Sequence, residues 1–115
     1  MLNRGKQSLT LNLKDSEDRA RLDPLLEKAD IILEQFRPGV MSRLGLGFED
    51  IKAKNPGIIY CSLTGWGQSG PKADKASHDL NFMAESGLLG LSVGTDGKPG
   101  LPPVLAADIA GGTYP

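Results

Sequence analysis

The sequence predicts an α/β fold, a partial parallel sheet with flanking helices. Short apolar segments of strand length, residues 31–33 and 58–63, alternate with segments that carry apolar residues at helical spacing. Short loops join them, and this order favours parallel βαβ units with right-handed crossovers. The few strand candidates have no partners that would close the sheet, so we expect the 115-residue chain to be truncated at both ends.

The start of the chain holds two strand candidates with a helix between them. Residues 8–13 (SLTLNL) alternate polar and apolar, which predicts a strand. Asp15 and Ser16 offer N-cap side chains to the helix that follows. Pro24 either kinks that helix or begins its main part, and we favour the kink. Residues 31–33 (IIL) predict a buried strand. The helix should bury one apolar face made of Leu22, Leu25, Leu26 and Ala29.

The middle of the chain continues the alternation. Residues 40–44 and 48–54 predict short helices, and the Asn-Pro-Gly sequence at 55–57 predicts a stop. Residues 58–63 (IIYCSL) begin with β-branched and aromatic side chains, which favour a strand.

The last third alternates loops with apolar segments. Residues 65–77 are polar and rich in glycine and proline, so we predict a loop. The apolar spacing of residues 78–91 predicts a helix. Residues 95–103 predict a second loop, and the short apolar segment 104–107 leads to Asp108.

Composition excludes several classes of protein. With 39% hydrophobic residues, 23% charged residues and a net charge of −1, neither nucleic acid nor an anionic membrane is expected as the main partner. No apolar run reaches the length of a transmembrane helix. The single cysteine, Cys61, excludes an internal disulfide framework. We therefore expect a cytoplasmic protein.

The glycine-rich segment at residues 65–70 (GWGQSG) matches G-x-G-x-x-G and follows a predicted strand. A dinucleotide site would also need a helix that begins at once and an acidic residue about 20 positions further on. Pro71 and a polar stretch follow instead. A glycine-rich turn is the better interpretation. A nicotinamide-binding oxidoreductase remains an alternative, as does a non-catalytic interaction fragment.

His78 and Asp108 are the best catalytic candidates. His78 is the only histidine, follows the glycine-rich loop and can exchange a proton near neutral pH, although a surface position would explain it equally. Asp108 follows an apolar segment, where it would either end a strand at a site or cap a helix. Asp79 and Glu85 are competing carboxylates. A metal site is not expected, because the chain has no second histidine and no cysteine cluster.

Two arginines are candidate phosphate ligands. Arg37 and Arg43 flank residues 38–42, and an arginine at the end of a strand can bind phosphate bidentately, although surface ion pairs would also explain both. Cys61 lies within a predicted strand and is most simply a small buried hydrophobe.

Several segments together resemble the class III CoA-transferase superfamily, also called CaiB/BaiF. Residues 34–47 (EQFRPGVMSRLGLG) look like its signature segment, and residues 64–71 (TGWGQSGP) are similar to its glycine loop. Residues 3–6 (NRGK) and 11–14 (LNLK) are similar to its upstream segment. The resemblance extends over essentially the whole chain.

The resemblance implies a Rossmann-like large domain, a smaller domain and an interlocked homodimer in the full-length form. Residues 1–71 would be a partial Rossmann-like, CoA-binding region, and residues 72–115 the active-site segment of the same large domain. The missing parts would be the first strand and the later domain. A coenzyme A thioester would be the substrate, with no permanently bound cofactor, and Arg43 and Arg37 would contact the CoA phosphates. This piece should fold poorly and be inactive alone.

The resemblance also implies two chemistries. CoA-transferases of this family use an aspartate, matched by Asp108, as a nucleophile on an acyl-CoA and pass CoA to another carboxylate through anhydride and thioester intermediates. The α-methylacyl-CoA racemases use a histidine and an aspartate, matched by His78 in SHDLN and Asp108 in ADIAGG. Inversion at carbon needs a base on one face and an acid on the other, so His78 favours racemisation.

Overall fold

The structure, a computed structural model, describes residues 3–113. The chain divides into two compact units. The described part of unit 1 covers residues 3–32 and Gly39–Cys61, and that of unit 2 covers Leu33–Pro38 and residues 62–113. The described residues contain no helix long and apolar enough to cross a membrane.

A parallel pair of strands gives the chain its α/β character. The strands β1 (Ile31–Glu34) and β2 (Ile59–Ser62) form a two-stranded sheet. The N–H of Ile59 donates to the carbonyl of Asp30 at 3.0 Å, and that of Leu63 to the carbonyl of Glu34 at 2.9 Å. Both strands therefore advance in the same direction, as the predicted βαβ order requires.

Residues 31–33 form a strand as predicted, but the prediction that this strand is buried was wrong. Ile31 is 61% exposed and Ile59 62% exposed, so one face of the pair is uncovered. A continuous apolar run signals a strand that can be covered on both faces, but it does not supply the element that covers it.

Unit 1 begins with two short helices, α1 (Ser16–Ala20) and α2 (Asp23–Leu26). Asp15 caps α1, since its carboxylate accepts from the N–H groups of Glu17 and Asp18. Pro24 lies in the first turn of α2, where its missing N–H leaves no intrahelical bond unmade. The predicted kinked helix is therefore two separate helices, and Pro24 starts the second one.

The predicted strand at residues 8–13 was also wrong. These residues are irregular, and none pairs with another segment of the described chain as a strand. Alternating polarity selects the face of a strand, but a strand also needs a hydrogen-bonding neighbour.

The core of unit 1 surrounds α4. The predicted short helices are present as α3 (Val40–Arg43) and α4 (Phe48–Lys54). Ile51 on α4 is 1% exposed and packs with Leu46 and Ile58. Partly buried apolar side chains surround this cluster: Leu13, Leu22, Leu26, Ala29, Ile32, Met41, Leu44 and Tyr60.

Unit 2 contains α5 (Asp79–Glu85), a 3₁₀ helix (Leu88–Leu91) and α6 (Ala106–Thr113). The helix predicted over 78–91 is thus interrupted, because Gly87 adopts a φ of 79°, which a continuing helix cannot accommodate. Within the loop that follows, Val93 and Pro99 form an isolated antiparallel bridge.

Asp108 does not end a strand. The apolar segment 104–107 runs into α6, and Asp108 lies in the first turn of that helix. The segment is short, and no strand of residues 3–113 pairs with it to hold it in extended form. The alternative that Asp108 caps the helix was wrong as well, because the capping carboxylate comes from another residue.

Candidate functional site

A cleft of about 630 Å³ lies within unit 2. It brings together three of the residues singled out in the sequence, namely Arg37, His78 and Asp108. Its other lining residues are Gln35, Phe36, Leu63, Thr64, Gly65, Trp66, Ala73, Lys75, Ser77, Phe82, Ala107, Gly111 and Gly112. The cleft therefore collects a histidine, an aspartate and two cationic side chains, those of Arg37 and Lys75, from distant parts of the sequence.

His78 is the N-cap residue of α5. Its backbone is extended, with φ −134° and ψ 165°, and its N–H donates to the side-chain Oδ1 of Asn81 at 3.0 Å. This bond fixes the backbone at the helix start and leaves the imidazole uncommitted to capping. The side chain is exposed and lines the cleft, where it can reach a ligand.

Asp79 is the buried carboxylate of this region. Its side chain is 4% exposed, and its Oδ1 accepts from the backbone N–H of Ala107 at 2.6 Å and of Asp108 at 3.2 Å. Its Oδ2 is also buried and has no hydrogen-bond partner in the described part of the chain. Asp79 thus caps α6 although it belongs to α5. Its bond to the N–H of Asp108 holds that residue next to Asp79, which directly follows His78.

The glycine-rich loop closes against the start of α5. A Cβ on Gly65 would overlap both Ser77 and the ring of Phe82, so only glycine fits there. The indole N–H of Trp66 donates to the carbonyl of Ala76 at 3.2 Å, and its ring lies 4.9 Å from that of Phe82. These contacts hold both ends of the loop together directly before His78.

The loop does not form a dinucleotide-binding turn. In the described structure, residues 65–77 are turns and bends, and the next helix is α5. A helix that begins at Gly70, whose N-terminus would meet a pyrophosphate, is therefore missing from these residues.

Glu85 is explained by an ion pair. The ammonium of Lys72 donates to its Oε2 at 2.5 Å and lies 5.1 Å from the centre of the Trp66 ring. The hydrogen bond from Lys72 lowers the pKa of Glu85 below its ordinary value. This carboxylate fastens the loop to α5 and does not line the cleft.

The two arginines lie in different units. Arg37 lines the cleft of unit 2, whereas Arg43 is the last residue of α3 in unit 1, where its Nη1 lies 3.2 Å from the position that a Cβ on Gly39 would take. Both side chains are exposed and free to meet an anion.

Cys61 is half-buried in β2, and no cluster of metal-ligating side chains occurs among residues 3–113.

The role of Asp79 escaped sequence reasoning, which ranked it only as a competing carboxylate. Its partners are 28 and 29 positions away, and a capping pattern is recognisable in sequence only when cap and helix are adjacent. The signal that existed was negative. No Ser, Thr, Asp or Asn occurs in residues 101–105, so α6 had to be capped from elsewhere.

Comparison with known proteins agrees with this fold. The family model of CoA-transferase family III matches residues 1–115. The chain belongs to CoA-transferase family III.

Its curated relatives include both chemistries. The acetyl-CoA:oxalate CoA-transferase of Acetobacter aceti is 46% identical over 98 residues, which are 85% of this chain and 25% of that protein. The alpha-methylacyl-CoA racemase of Homo sapiens is 46% identical over 112 residues, 96% of this chain and 29% of the racemase.

Solved structures share the fold. A crystal structure of the hypothetical protein Rv3272 from Mycobacterium tuberculosis matches with a TM-score of 0.88 and 39% identity over 96% of this chain and 31% of that one. A CaiB/BaiF family protein from Brucella suis matches with a TM-score of 0.83 and 38% identity over 92% of this chain and 28% of that one. The chain therefore spans less than a third of the length of these relatives.

Proposed function

We propose that the full-length protein acts on acyl-CoA thioesters and exchanges the proton on C2 of a 2-methylacyl-CoA. The observation that carries this proposal is that His78 and Asp108 line the same cleft. A base and an acid on opposite sides of one carbon are the minimum that inversion requires. The human alpha-methylacyl-CoA racemase, 46% identical to this chain, supports the same chemistry.

The proton transfer would use the two side chains in opposite states. Neutral His78 would accept the C2 proton from one face, and the electron pair left behind would form an enolate with the thioester carbonyl. Protonated Asp108 would then donate its proton to the other face. For the opposite enantiomer the roles would be reversed.

The CoA moiety would be held by cationic side chains. Arg37 is on the wall of the cleft and, with Arg43, is our candidate for contacts with the CoA phosphates. Coenzyme A would enter as part of the substrate, with no permanently bound cofactor or metal. An interlocked homodimer, a cytoplasmic location and the division at residues 71 and 72 stay predictions for the full-length protein.

The decisive experiment incubates the full-length protein with (2R)- and (2S)-2-methylacyl-CoA in deuterated water. Mass spectrometry of the recovered thioester should show one deuterium at C2 from either enantiomer. His78→Ala and Asp108→Ala should each abolish the inversion. Inversion that persists in His78→Ala would remove the role we assign to the histidine.

CoA transfer is the second candidate, favoured by the relative from Acetobacter aceti, an acetyl-CoA:oxalate CoA-transferase that is 46% identical to this chain over 98 residues. Asp108 would attack the thioester carbonyl and release CoA thiolate, which would in turn attack the aspartyl anhydride and free the first carboxylate. A second carboxylate would then attack the aspartyl thioester and release CoA thiolate, and the thiolate would attack the acyl carbon of the new anhydride to give the second acyl-CoA and free Asp108. Transfer of CoA to a free acid without deuterium uptake at C2 would select this chemistry over racemisation.

A further inference from the structure

We infer that Asp79 is a positioning residue, which sets the carboxylate of Asp108 in the cleft by holding the first turn of α6. The inference rests on the proposed function and names a residue that acts through Asp108, without touching the substrate. Three observations carry it: the hydrogen bonds of Asp79, its burial, and its place in the chain next to His78.

The hydrogen bonds of Asp79 leave Asp108 free for the cleft, because one carboxylate could not both cap α6 and face a ligand. The first N–H groups of a helix need an acceptor, and for α6 this is Oδ1 of Asp79, which receives the N–H of Ala107 and of Asp108. A carboxylate in the first turn, such as that of Asp108, would otherwise be attracted to these partly positive N–H groups. Because Asp79 takes that task, the carboxylate of Asp108 stays exposed at the cleft.

The burial of Asp79 is costly and therefore informative. Its side chain is 4% exposed, and its Oδ2 has no partner among residues 3–113. A buried carboxylate oxygen without a hydrogen bond destabilises the folded state. A cap needed only for stability could come from a side chain adjacent to α6 at lower cost, so a buried acceptor supplied from α5 points to a demand of the site.

Its place in the chain couples the two proposed catalytic groups. Asp79 is the first residue of α5, and His78 is the N-cap of the same helix. The bonds of Asp79 to α6 thus fix the separation between His78 and Asp108. Both groups must lie within hydrogen-bond reach of one carbon, and a displacement of about 1 Å can lower the rate about 100-fold.

The test compares variants of the full-length enzyme by C2 deuterium exchange. Asp79→Ala should lower kcat by about 30- to 100-fold and change KM by less than about threefold, since substrate contacts are untouched. Asp79→Asn keeps an acceptor of the same length and should restore kcat to within about threefold. Asp79→Glu keeps the charge but displaces the acceptor by one methylene, so kcat should again fall.

A double variant separates positioning from general stability. In an Asp108→Ala background, the exchange that depends on His78 alone should fall no further when Asp79 is also changed to alanine. An equal further loss in that background, or full kcat in Asp79→Ala, would overturn the inference. If Asp79→Ala does not fold, full activity of the Asp79→Glu variant overturns it instead. A wild-type enzyme that is inactive in both exchange and CoA transfer overturns the proposed function and this inference together. An active wild-type enzyme whose kcat is unchanged by substitution of Asp79 overturns the inference alone.

Discussion

The carboxylate of Asp79 accepts a hydrogen bond from the backbone N–H of Asp108 at 3.2 Å. The bond joins the start of α5 to the first turn of α6, through two residues that are 29 positions apart in sequence. Because the neighbouring residue His78 also lines the cleft, the two proposed proton-transfer groups are held by one short path of covalent and hydrogen bonds. The geometry of the cleft thus depends on a residue outside the proposed reacting pair.

Substitution of the two cleft residues should distinguish the two chemistries. In the full-length enzyme, Asp108→Asn should abolish both inversion at C2 and CoA transfer, because it removes an acid in one reaction and the nucleophile in the other. His78→Ala should lower the rate of exchange by at least about 100-fold, the usual contribution of a general base. It should leave any CoA transfer within about tenfold.

The matched control for this pair is Glu85→Gln, which alters a carboxylate that is bound to Lys72 and does not line the cleft. Exchange rates should stay within about twofold of the wild type. Loss of CoA transfer together with exchange in His78→Ala would contradict a role confined to proton exchange.

The sequence predicted local elements well and tertiary pairing poorly. The short helices α3 and α4 lie where apolar spacing and the Asn-Pro-Gly stop put them, because their signals are within a few residues of each other. Residues 8–13 show the reverse case, since alternation alone could not provide a neighbouring strand. Asp108 lines the cleft, yet its surroundings depend on Asp79, and a hydrogen bond across 29 residues leaves no local pattern.

A methyl group on Gly65 should disturb the loop before His78. Gly65→Ala would place a Cβ against Ser77 and the ring of Phe82, neither of which can retreat without moving the start of α5. Overpacking of this kind costs about 1–3 kcal/mol in the free energy of unfolding. Urea denaturation of the full-length protein measures it, and kcat for C2 exchange should fall in parallel. Gly90→Ala is the control, because a Cβ at Gly90 meets nothing within 4 Å, and an equal loss there would contradict the steric explanation.

Asn55 should contribute to the stability of unit 1 through its side-chain amide. Its Nδ2 donates to the carbonyls of Leu26 at 3.1 Å and of Ala29 at 2.8 Å, and its Oδ1 accepts from the N–H of Gly57 at 3.3 Å. Asn55→Ala leaves these groups without partners and should cost about 1–3 kcal/mol. Asn55→Asp keeps the acceptor but turns a carboxylate oxygen toward two carbonyls, so it should cost at least as much. A smaller loss for Asp than for Ala in urea denaturation would show that the two donated bonds are unimportant.

The ion pair between Lys72 and Glu85 should make the stability of the folded state depend on pH, and the lowered pKa of Glu85 gives the direction of this dependence. The hydrogen bond and charge of Lys72 lower the pKa of Glu85 from its ordinary value of 4.5, with Lys75 as a lesser influence. A carboxylate whose pKa is lower in the folded than in the unfolded state stabilises the fold above the unfolded pKa. That stabilisation is lost as the pH falls through the folded pKa, so the window lies below about pH 4.5.

Carboxyl NMR titration of Glu85 measures this directly. Lys72→Met should raise the pKa of Glu85 toward its ordinary value, and Lys75→Met should raise it less, because Lys75 acts only through its charge. Added salt should shrink the difference between the wild type and Lys72→Met, since the pair is exposed to solvent. An unchanged titration midpoint in Lys72→Met would mean that the hydrogen bond at 2.5 Å does not persist in solution, and the loop before His78 would then depend on the contacts of Trp66 with Phe82 and Ala76 and on the packing of Gly65.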